Sequence, residues 1–339
     1  MHSQWKRQTG SKHNLGRAVL RGLLGAGLAA ACGVAGAQAY PSHAITIVVP
    51  FAAGGPTDLL ARIMAERMGR SLGQTVVVDN TTGAAGSIGV GRVVHSAPDG
   101  YTVGIGHWST HVVNGAVYKL NYDLQKDLDP VAEIASNPQL VVSNISVPAK
   151  NLTELTAWVK ANQGKISVGT AGVGAASHVG GLYYANFIGA KLTYIPYRGT
   201  GPALQDLIAG QVQLMFDQAS NSLPMVRAGK VRGYAVTQKT RLGSAADIPT
   251  VDEAGAPGLY MAVWHGLWVP RGTPKAAIAK LMAAAQESLA DPAVAKRLFD
   301  MGQDIPERER QTPEGLRTFQ KAEIDKWWPL IKAADIKVE

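Results

Sequence analysis

The chain contains a segment in which an apolar strand runs directly into a glycine turn and a helix. Residues 45–49 (ITIVV) predict a buried strand, and residues 56–58 (PTD) suit the first turn of a helix. Between them, Gly54 and Gly55 allow a turn in which a ligand can approach the main chain. Helix N-termini attract anions through their N–H groups and dipole. We therefore predict an anion site at residues 51–58, with a plain strand–helix connection as the alternative.

The first 39 residues have the composition of a cleavable export signal. A basic stretch without acids precedes the small apolar residues 22–34, and residues 37–39 (AQA) form a cleavage motif. We predict cleavage after Ala39 and a periplasmic location. A membrane anchor is the alternative, but the apolar run is short for one. Lipidation at Cys32 is disfavoured because Ala29 is a weak lipobox residue.

Removal of the signal changes what the composition implies. The mature chain of 300 residues would contain no cysteine, so it must rely on its own core, and its length suggests two domains. Five basic residues leave with the signal, so the net charge of +8 falls to +3. No Lys/Arg cluster indicates a nucleic-acid surface, and no segment after residue 39 has the pattern of a membrane span.

The mature sequence alternates strands and helices in two sets. The first occupies residues 45–105, and the second begins near residues 139–145 and ends with a strand at 212–216. Long helices are predicted at 275–289, 292–301 and 313–331, where charged and apolar residues alternate. This pattern predicts two doubly wound α/β domains with parallel sheets. Ligands of such sheets bind beyond the carboxyl ends of the strands, here in a central cleft.

Two further glycine loops join a strand to a helix. Residues 167–178 match neither the dinucleotide fingerprint nor a P-loop. Thr170 and Ser177 can bind an anion or cap the helix, and His178 is better explained as a satisfied helix residue than as a catalyst. In the loop at residues 196–203, Thr200 can cap or bind.

The third loop and the end of the strand that follows it contain ionisable residues that could bind a ligand. Tyr197 offers a ring and a hydroxyl, and Arg198 either pairs with a carboxylate or is a solvated loop cation. Asp217 follows a strand and either orients a ligand hydroxyl, amine or water, or caps the next helix.

The segment at residues 107–111 (HWSTH) carries two histidines four residues apart. This spacing suits zinc, but no glutamate accompanies them and no third ligand is evident, so we predict no metal. Ser109 and Thr110 are better explained as hydrogen-bond donors, with Trp108 as an apolar wall of the site. The mature chain also lacks a G-x-S-x-G elbow and a cysteine nucleophile, so catalysis is poorly supported.

These loops resemble those of the solute-binding receptors of tripartite tricarboxylate transporters, the Bug type. The resemblance rests on residues 50–58 (PFAAGGPTD), 98–102 (PDGYT), 197–207 and 248–255 (IPTVDEAG), and it extends over essentially the whole mature chain. It implies a type II periplasmic binding fold in which two α/β domains, joined by two crossing strands, close over a small carboxylate. It also implies delivery of that carboxylate to a membrane permease with small and large subunits.

The resemblance places the ligand at specific residues and domains. We expect domain I at residues 40–140 plus 238–339 and domain II at 141–237. The expected ligand-binding residues are Phe51, Ala53, Gly54, Gly55, Thr57, Trp108, Ser109, Thr170, Gly174, Ala175, Ser177, Tyr197, Gly199, Thr200 and Asp217. Trp108 is included because of its place in the segment at residues 107–111, and it is not a position typical of the family.

The prediction is therefore a monomeric, non-catalytic periplasmic receptor without a cofactor. Its ligand would be a di- or tricarboxylate, an aromatic acid or an acidic amino acid. Two alternatives stay open: a sensor that passes its closed state to a signalling partner, and a periplasmic hydrolase that uses Ser177 and His178.

Overall fold

Strands from distant parts of the chain share one sheet. The computed structural model describes residues 1–2 and 40–333, and the signal-peptide prediction lies almost wholly outside these residues. Within them the strands are β1 (Ile45–Val49), β2 (Val76–Asn80), β3 (Thr102–His107), β4 (Leu128–Asn144), β5 (Ser167–Thr170), β6 (Thr193–Pro196), β7 (Leu214–Gln218), β8 (Val231–Val236) and β9 (Ala262–Pro270).

Helices connect and cover these strands. They are α1 (Pro56–Leu72), α2 (Ser87–Val94), α3 (Asn114–Val117), α4 (Leu152–Ala161), α5 (Ala176–Ile188), α6 (Thr200–Ile208), α7 (Ala219–Arg227), α8 (Lys275–Ala290), α9 (Pro292–Asp300) and α10 (Pro313–Ala333). A π-helical turn at Ser109–Val113 leads into α3. Within residues 40–333, no helix combines the length and apolarity that crossing a membrane requires.

The 17-residue strand β4 divides the unit formed by residues 43–339 into two lobes. Its first part, Leu128–Pro138, pairs with β9, and its last part, Gln139–Asn144, pairs with β7 and β8. Lobe I is the section in the order β2-β1-β3-β9-β4, and lobe II is the section in the order β8-β4-β7-β5-β6. The chain therefore forms a two-domain α/β fold.

The predicted parallel sheet is confirmed for part of each lobe and is wrong for the rest. Strands β1–β3 and β5–β7 pair in parallel, whereas β4, β8 and β9 pair with their neighbours in antiparallel fashion. The sequence predicts a strand near residues 139–145, which covers only the second part of β4, and it predicts no element at β8, β9 or α7. The missed strands are interrupted by residues such as Asp129 and Glu133 in β4, Arg232 in β8 and His265 in β9, so they show neither a continuous apolar run nor a regular alternation.

Both faces of the lobe II sheet are buried. Leu140 and Val142 pack in one apolar cluster with α6 and α7, while Val141 packs in another with α4 and α5. This alternation follows from the two-residue period of a strand. Lobe I has a core centred on Trp264 and Trp268, against which α10 packs. The two cores hold the strand ends, and so the loops that follow them, in fixed positions.

Candidate functional site

A small pocket lies between the lobes at the ends of the strands. Loops of both lobes and the middle of β4 form its wall. Its lining residues are Phe51, Gly55, Pro56, Thr57, His107, Gln139, Ala171, Ala175, Ala176, Ser177, Thr200, Phe216 and Gln218. None of them is Asp, Glu, Lys or Arg, so the pocket offers neutral hydrogen-bonding groups.

Four helices begin at this pocket, and none is capped by the side chain of its own N-cap residue, although Asn137 Oδ1 accepts from the N–H of Ser220 in α7 at 3.3 Å. Their first or capping residues are Pro56 in α1, Ala176 in α5, Thr200 in α6 and Gln218 before α7. The first N–H groups of a helix have no carbonyl partner inside it. Elsewhere in the chain, α4 and α9 satisfy them with asparagine and aspartate caps. Helix N-termini without such caps around one pocket form a site for an anion.

The first glycine loop contributes fewer groups than predicted. Gly55 and Thr57 line the pocket, whereas Ala53 and Gly54 are exposed. The N–H of Gly54 donates to Asp58 Oδ2 at 2.9 Å, so it already has an anionic partner. Burial raises the pKa of Asp58, but hydrogen bonds from Arg62, Gly54 and Asn80 outweigh it and hold that pKa below its usual value.

The second glycine loop places Ala171, Ala175 and Ser177 on the pocket. Ser177 Oγ accepts from the N–H of Ala171 at 2.9 Å, which leaves its own proton to donate. Thr170 does not line the pocket, because its hydroxyl lies between the carbonyl of Ile195 and the N–H of Gly172, at 3.4 Å from each.

The same loop also contacts lobe I. Gly174 has a φ of +78° and lies against the side chains of Val117 and Tyr118. The Tyr118 hydroxyl donates to the carbonyl of Val173 at 2.5 Å. Gly174 therefore contributes to the contact between the lobes and not to the wall of the pocket.

In the third loop, some residues line the pocket and others lie where the two lobes touch. Thr200 lines the pocket, whereas Tyr197 and Arg198 line an outer cleft. The Tyr197 hydroxyl donates to Asp206 at 2.6 Å. Gly199 packs against Ala52, whose N–H donates across the lobes to the carbonyl of Arg198 at 3.0 Å.

Asp217 is buried behind the pocket and does not face it. Its carboxylate accepts from Asn221 Nδ2 at 2.6 Å, from Ser222 Oγ at 2.5 Å and from the N–H of Gln218 at 2.9 Å, and also from Thr200. Burial raises the pKa of Asp217 to about 6 despite these bonds. The expectation of a cleft-facing carboxylate is therefore corrected: Asp217 fixes the first turn of α7 and orients Thr200.

We expect Asp217→Asn to lower the free energy of unfolding at pH 8 by about 2–4 kcal/mol, because an amide group would meet donors that need an acceptor. Urea denaturation measures this, with the exposed Asp247→Asn as control, expected to change stability by less than about 0.5 kcal/mol. Unchanged stability with an altered ranking of ligands would instead place the carboxylate at the ligand.

Trp108 and Ser109 are also buried away from the pocket. Trp108, which directly precedes the π-helical turn, is 1% exposed and packs edge-on against Trp327 in the lobe I core. It is not part of the pocket wall that the sequence suggested. Ser109 donates its N–H to His107 Nδ1 at 3.1 Å, and its hydroxyl lies 3.1 Å from the same atom.

His107 is a pocket residue that the sequence analysis missed. The N–H of Ser109 can only donate, so His107 Nδ1 is unprotonated and the proton of the neutral ring is on Nε2. Burial, and then the neighbouring His265 and His111, hold the pKa of His107 well below its usual value. The ring also stacks on Phe51 at 4.8 Å. His107 therefore gives the pocket a neutral N–H donor.

Gln139, Phe216 and Gln218 were missed as well. They lie on the paired strands β4 and β7, where a search of glycine loops does not look. No group of three or more histidine, cysteine or acidic residues within residues 40–333 is arranged to hold a metal ion. His111 stacks on Trp268 at 3.7 Å in the core.

Comparison with known proteins gives consistent similarities. The profile of the tripartite tricarboxylate transporter family receptor matches residues 60–336. A UPF0065 protein of Agrobacterium vitis is 38% identical over 302 residues, which cover 89% of this chain and 87% of that protein.

Solved structures with the same fold are similarly close. The periplasmic binding protein BugD is 39% identical, with a TM-score of 0.85, over 88% of this chain and all of the BugD chain. MatC from Rhodopseudomonas palustris, solved with bound malate, is 39% identical, with a TM-score of 0.83, over 86% of this chain and all of the MatC chain.

Proposed function

The chain belongs to the tripartite tricarboxylate transporter receptor family, and on this premise we propose that it is a periplasmic receptor that captures a small organic carboxylate for a membrane permease. The similarity to BugD supports the periplasmic location. The malate bound to MatC supports a dicarboxylate as the ligand. Membership of the family supports a permease with small and large subunits as the partner, and cleavage after Ala39 would release the receptor into the periplasm.

The observation that carries the proposal is the pocket itself. Four helix N-termini, none of them capped by its own N-cap side chain, and the neutral donors His107 and Ser177 surround a space that has no charged side chain on its wall. A carboxylate accepts hydrogen bonds with both oxygens, so it satisfies several of these donors at once. Neutral donors and dipoles bind an anion reversibly, which suits a receptor that must release its ligand.

Hydrogen bonds between the loops of the two lobes can stabilise a closed arrangement of the lobes. The bonds from Ala52 N–H to Arg198 and from Tyr118 to Val173 join the loops above the pocket. We propose that residues 40–140 with 238–339, and residues 141–237, move as the two bodies, since β4 passes from one sheet section to the other at Gln139. Ligand would then stabilise the closed arrangement.

The hydrolase alternative receives no support from the side chains it needs. Ser177 Oγ accepts from Ala171 N–H, while His178 Nδ1 accepts from Gly174 N–H at 3.0 Å. Burial lowers the pKa of His178 to about 4, which makes it a weak base. The sensor alternative uses the same pocket, and only a transport assay in cells lacking the receptor separates it from the proposed role.

Isothermal titration calorimetry tests the proposal with di- and tricarboxylates, aromatic acids and acidic amino acids, each beside its methyl ester. We expect at least one acid to bind and to raise the melting temperature, and its ester to bind at least about 100-fold more weakly, because the ester cannot accept charge-assisted bonds. Equal affinity for an acid and its ester would contradict the anion site.

We expect His107→Phe to weaken carboxylate binding about 10- to 100-fold, because a hydrogen bond to a charged group is worth about 1.5–3 kcal/mol. Phenylalanine retains a flat ring against Phe51. His111→Phe is the matched control, since its ring lies in the same segment but outside the pocket wall. Calorimetry measures the carboxylate affinity of both variants. Equal affinities of His107→Phe and His111→Phe would show that His107 does not bind the ligand.

A further inference from the structure

Two glutamine side chains line the pocket from neighbouring strands. Gln139 on β4 and Gln218 on β7 are directly opposite each other in the antiparallel register, so their side chains project from the same face of the sheet. Both line the pocket, and they are 1% and 5% exposed. The pair therefore presents two primary amides side by side to any ligand.

These amides lack the partners that buried polar groups normally have. Gln139 Nε2, Gln139 Oε1 and Gln218 Oε1 are all buried without a hydrogen bond in the part of the chain that the structure describes. Native proteins satisfy most such atoms, and a buried atom left unsatisfied is costly. Since the amides line a ligand pocket, a ligand is the natural source of the missing partners.

The position of Gln139 is fixed by its surroundings. Its N–H donates to Thr237 Oγ1 at 2.9 Å, and its carbonyl accepts from Thr237 N–H at 2.9 Å. Its amide oxygen lies against Gly180 of α5, where a Cβ would overlap with it. The glycine thus leaves the space that the amide oxygen occupies.

A carboxylate alone cannot satisfy this pair. It only accepts hydrogen bonds, so it can pair with an amide N–H but not with Gln139 Oε1 or Gln218 Oε1. A hydroxyl group both donates and accepts. An ammonium group also donates, but it needs a negative partner, and no acidic side chain lines the pocket. The carboxylate of Asp217 lies behind the wall with four donors of its own.

We propose that Gln139 and Gln218 form hydrogen bonds with a hydroxyl group of the ligand. The receptor would then bind hydroxy acids more tightly than the corresponding unsubstituted acids and amino acids. The inference rests on the proposed carboxylate-binding function and narrows its ligand class. A site built to bond a hydroxyl disfavours the analogue without it, because the amides then lose their partner.

Calorimetry with matched pairs tests the inference on the full mature protein. The probes are malate with succinate and aspartate, 2-hydroxyglutarate with glutarate, and mandelate with phenylacetate. We expect the hydroxy acid of at least one set to bind about 10- to 100-fold more tightly than its partners, as one or two hydrogen bonds would give. Partners that bind as tightly as the hydroxy acids would overturn the inference.

Near-isosteric variants show whether the amides carry the preference. Gln139→Met and Gln218→Met remove the polar atoms at similar volume, and each should reduce the preference to within about three-fold. Gly180→Ala should do the same by displacing the Gln139 amide, which keeps the test open if Gln139→Met does not fold. The exposed Gln211→Met is the control and should leave the preference unchanged.

The outcomes distinguish this inference from the proposed function. A hydroxyl preference that persists in all three pocket variants would overturn the role of the amides. Binding of other carboxylates with none of these hydroxy acids would overturn the hydroxyl requirement and leave the receptor function intact. A protein that binds no carboxylate at all would overturn both.

Discussion

Replacing Gly201 by phenylalanine should weaken ligand binding at least about 100-fold while leaving the unliganded protein folded. Gly201 lies in the first turn of α6, where the two lobes approach each other through their main chains. A Cβ at this position would be 3.3 Å from the N–H nitrogen of Gly55. A large ring there would hold the lobes apart, and apparent affinity falls with the fraction of molecules that can close.

A series of sizes makes the test specific. Gly201→Ala adds only the Cβ and should weaken ligand binding by less than about five-fold. Gly201→Leu should weaken it by an amount between those of the alanine and phenylalanine variants. None of these changes forces an unusual backbone, since Gly201 is not among the glycines with positive φ. Melting temperatures without ligand should stay within about 3 °C of the wild type. Wild-type affinity in the phenylalanine variant would show that the two loops need not approach.

Acid should destabilise the protein steeply between about pH 6.5 and pH 4. Burial lowers the pKa of His111 and of His265 to about 3 and that of His178 to about 4, and it is the main cause of the low pKa of His107. In the unfolded chain these rings titrate near 6.5. In this window the unfolded state therefore binds up to four more protons on histidine, so stability is lost as pH falls.

Two buried carboxyl groups reduce this loss of stability in acid. Burial raises the pKa of Glu133 to about 7 and that of Asp217 to about 6, so the folded state holds up to two protons that the unfolded state releases. The net difference of about two protons predicts a loss of roughly 2–3 kcal/mol per pH unit.

Urea denaturation at pH 7, 6, 5 and 4 measures this slope. His111→Phe should reduce it by about one proton, or about 1.4 kcal/mol per pH unit, because the ring can no longer be protonated. A free energy of unfolding that does not change with pH would show that these histidines are hydrated in the folded protein.

The fold was predictable where local pattern and final position agree. The alternating units from β1 to β3 and from β5 to β7 carry apolar runs bounded by glycine turns, and they form the predicted parallel pairs. β9 was missed because its place in lobe I depends on partners far away in sequence, which no local pattern encodes. β4 was shortened to its second half for the same reason.

The site was predictable in its backbone and less so in its side chains. Glycine turns before helices identified Gly55, Thr57, Ala175, Ser177 and Thr200, all of which line the pocket. Sequence cannot show on which side of a turn a long or aromatic side chain lies, so Trp108 was expected at the pocket although it packs in the core. Gln139 and Gln218 carry no motif, and only the register of β4 and β7 brings them together.

The place of β9 also sets the order in which the chain can fold. Lobe I needs β9 between β3 and β4, with Gly104 beside Trp268, so its sheet stays incomplete until the later part of the chain, including all of lobe II, has been made. Pairings so distant in sequence form slowly, because a long loop must close first. Until β9 has been made, the section β2-β1-β3 lacks the Trp264 and Trp268 side chains around which the lobe I core packs, so the segment that begins the lobe I sheet is completed only after all of lobe II has been made.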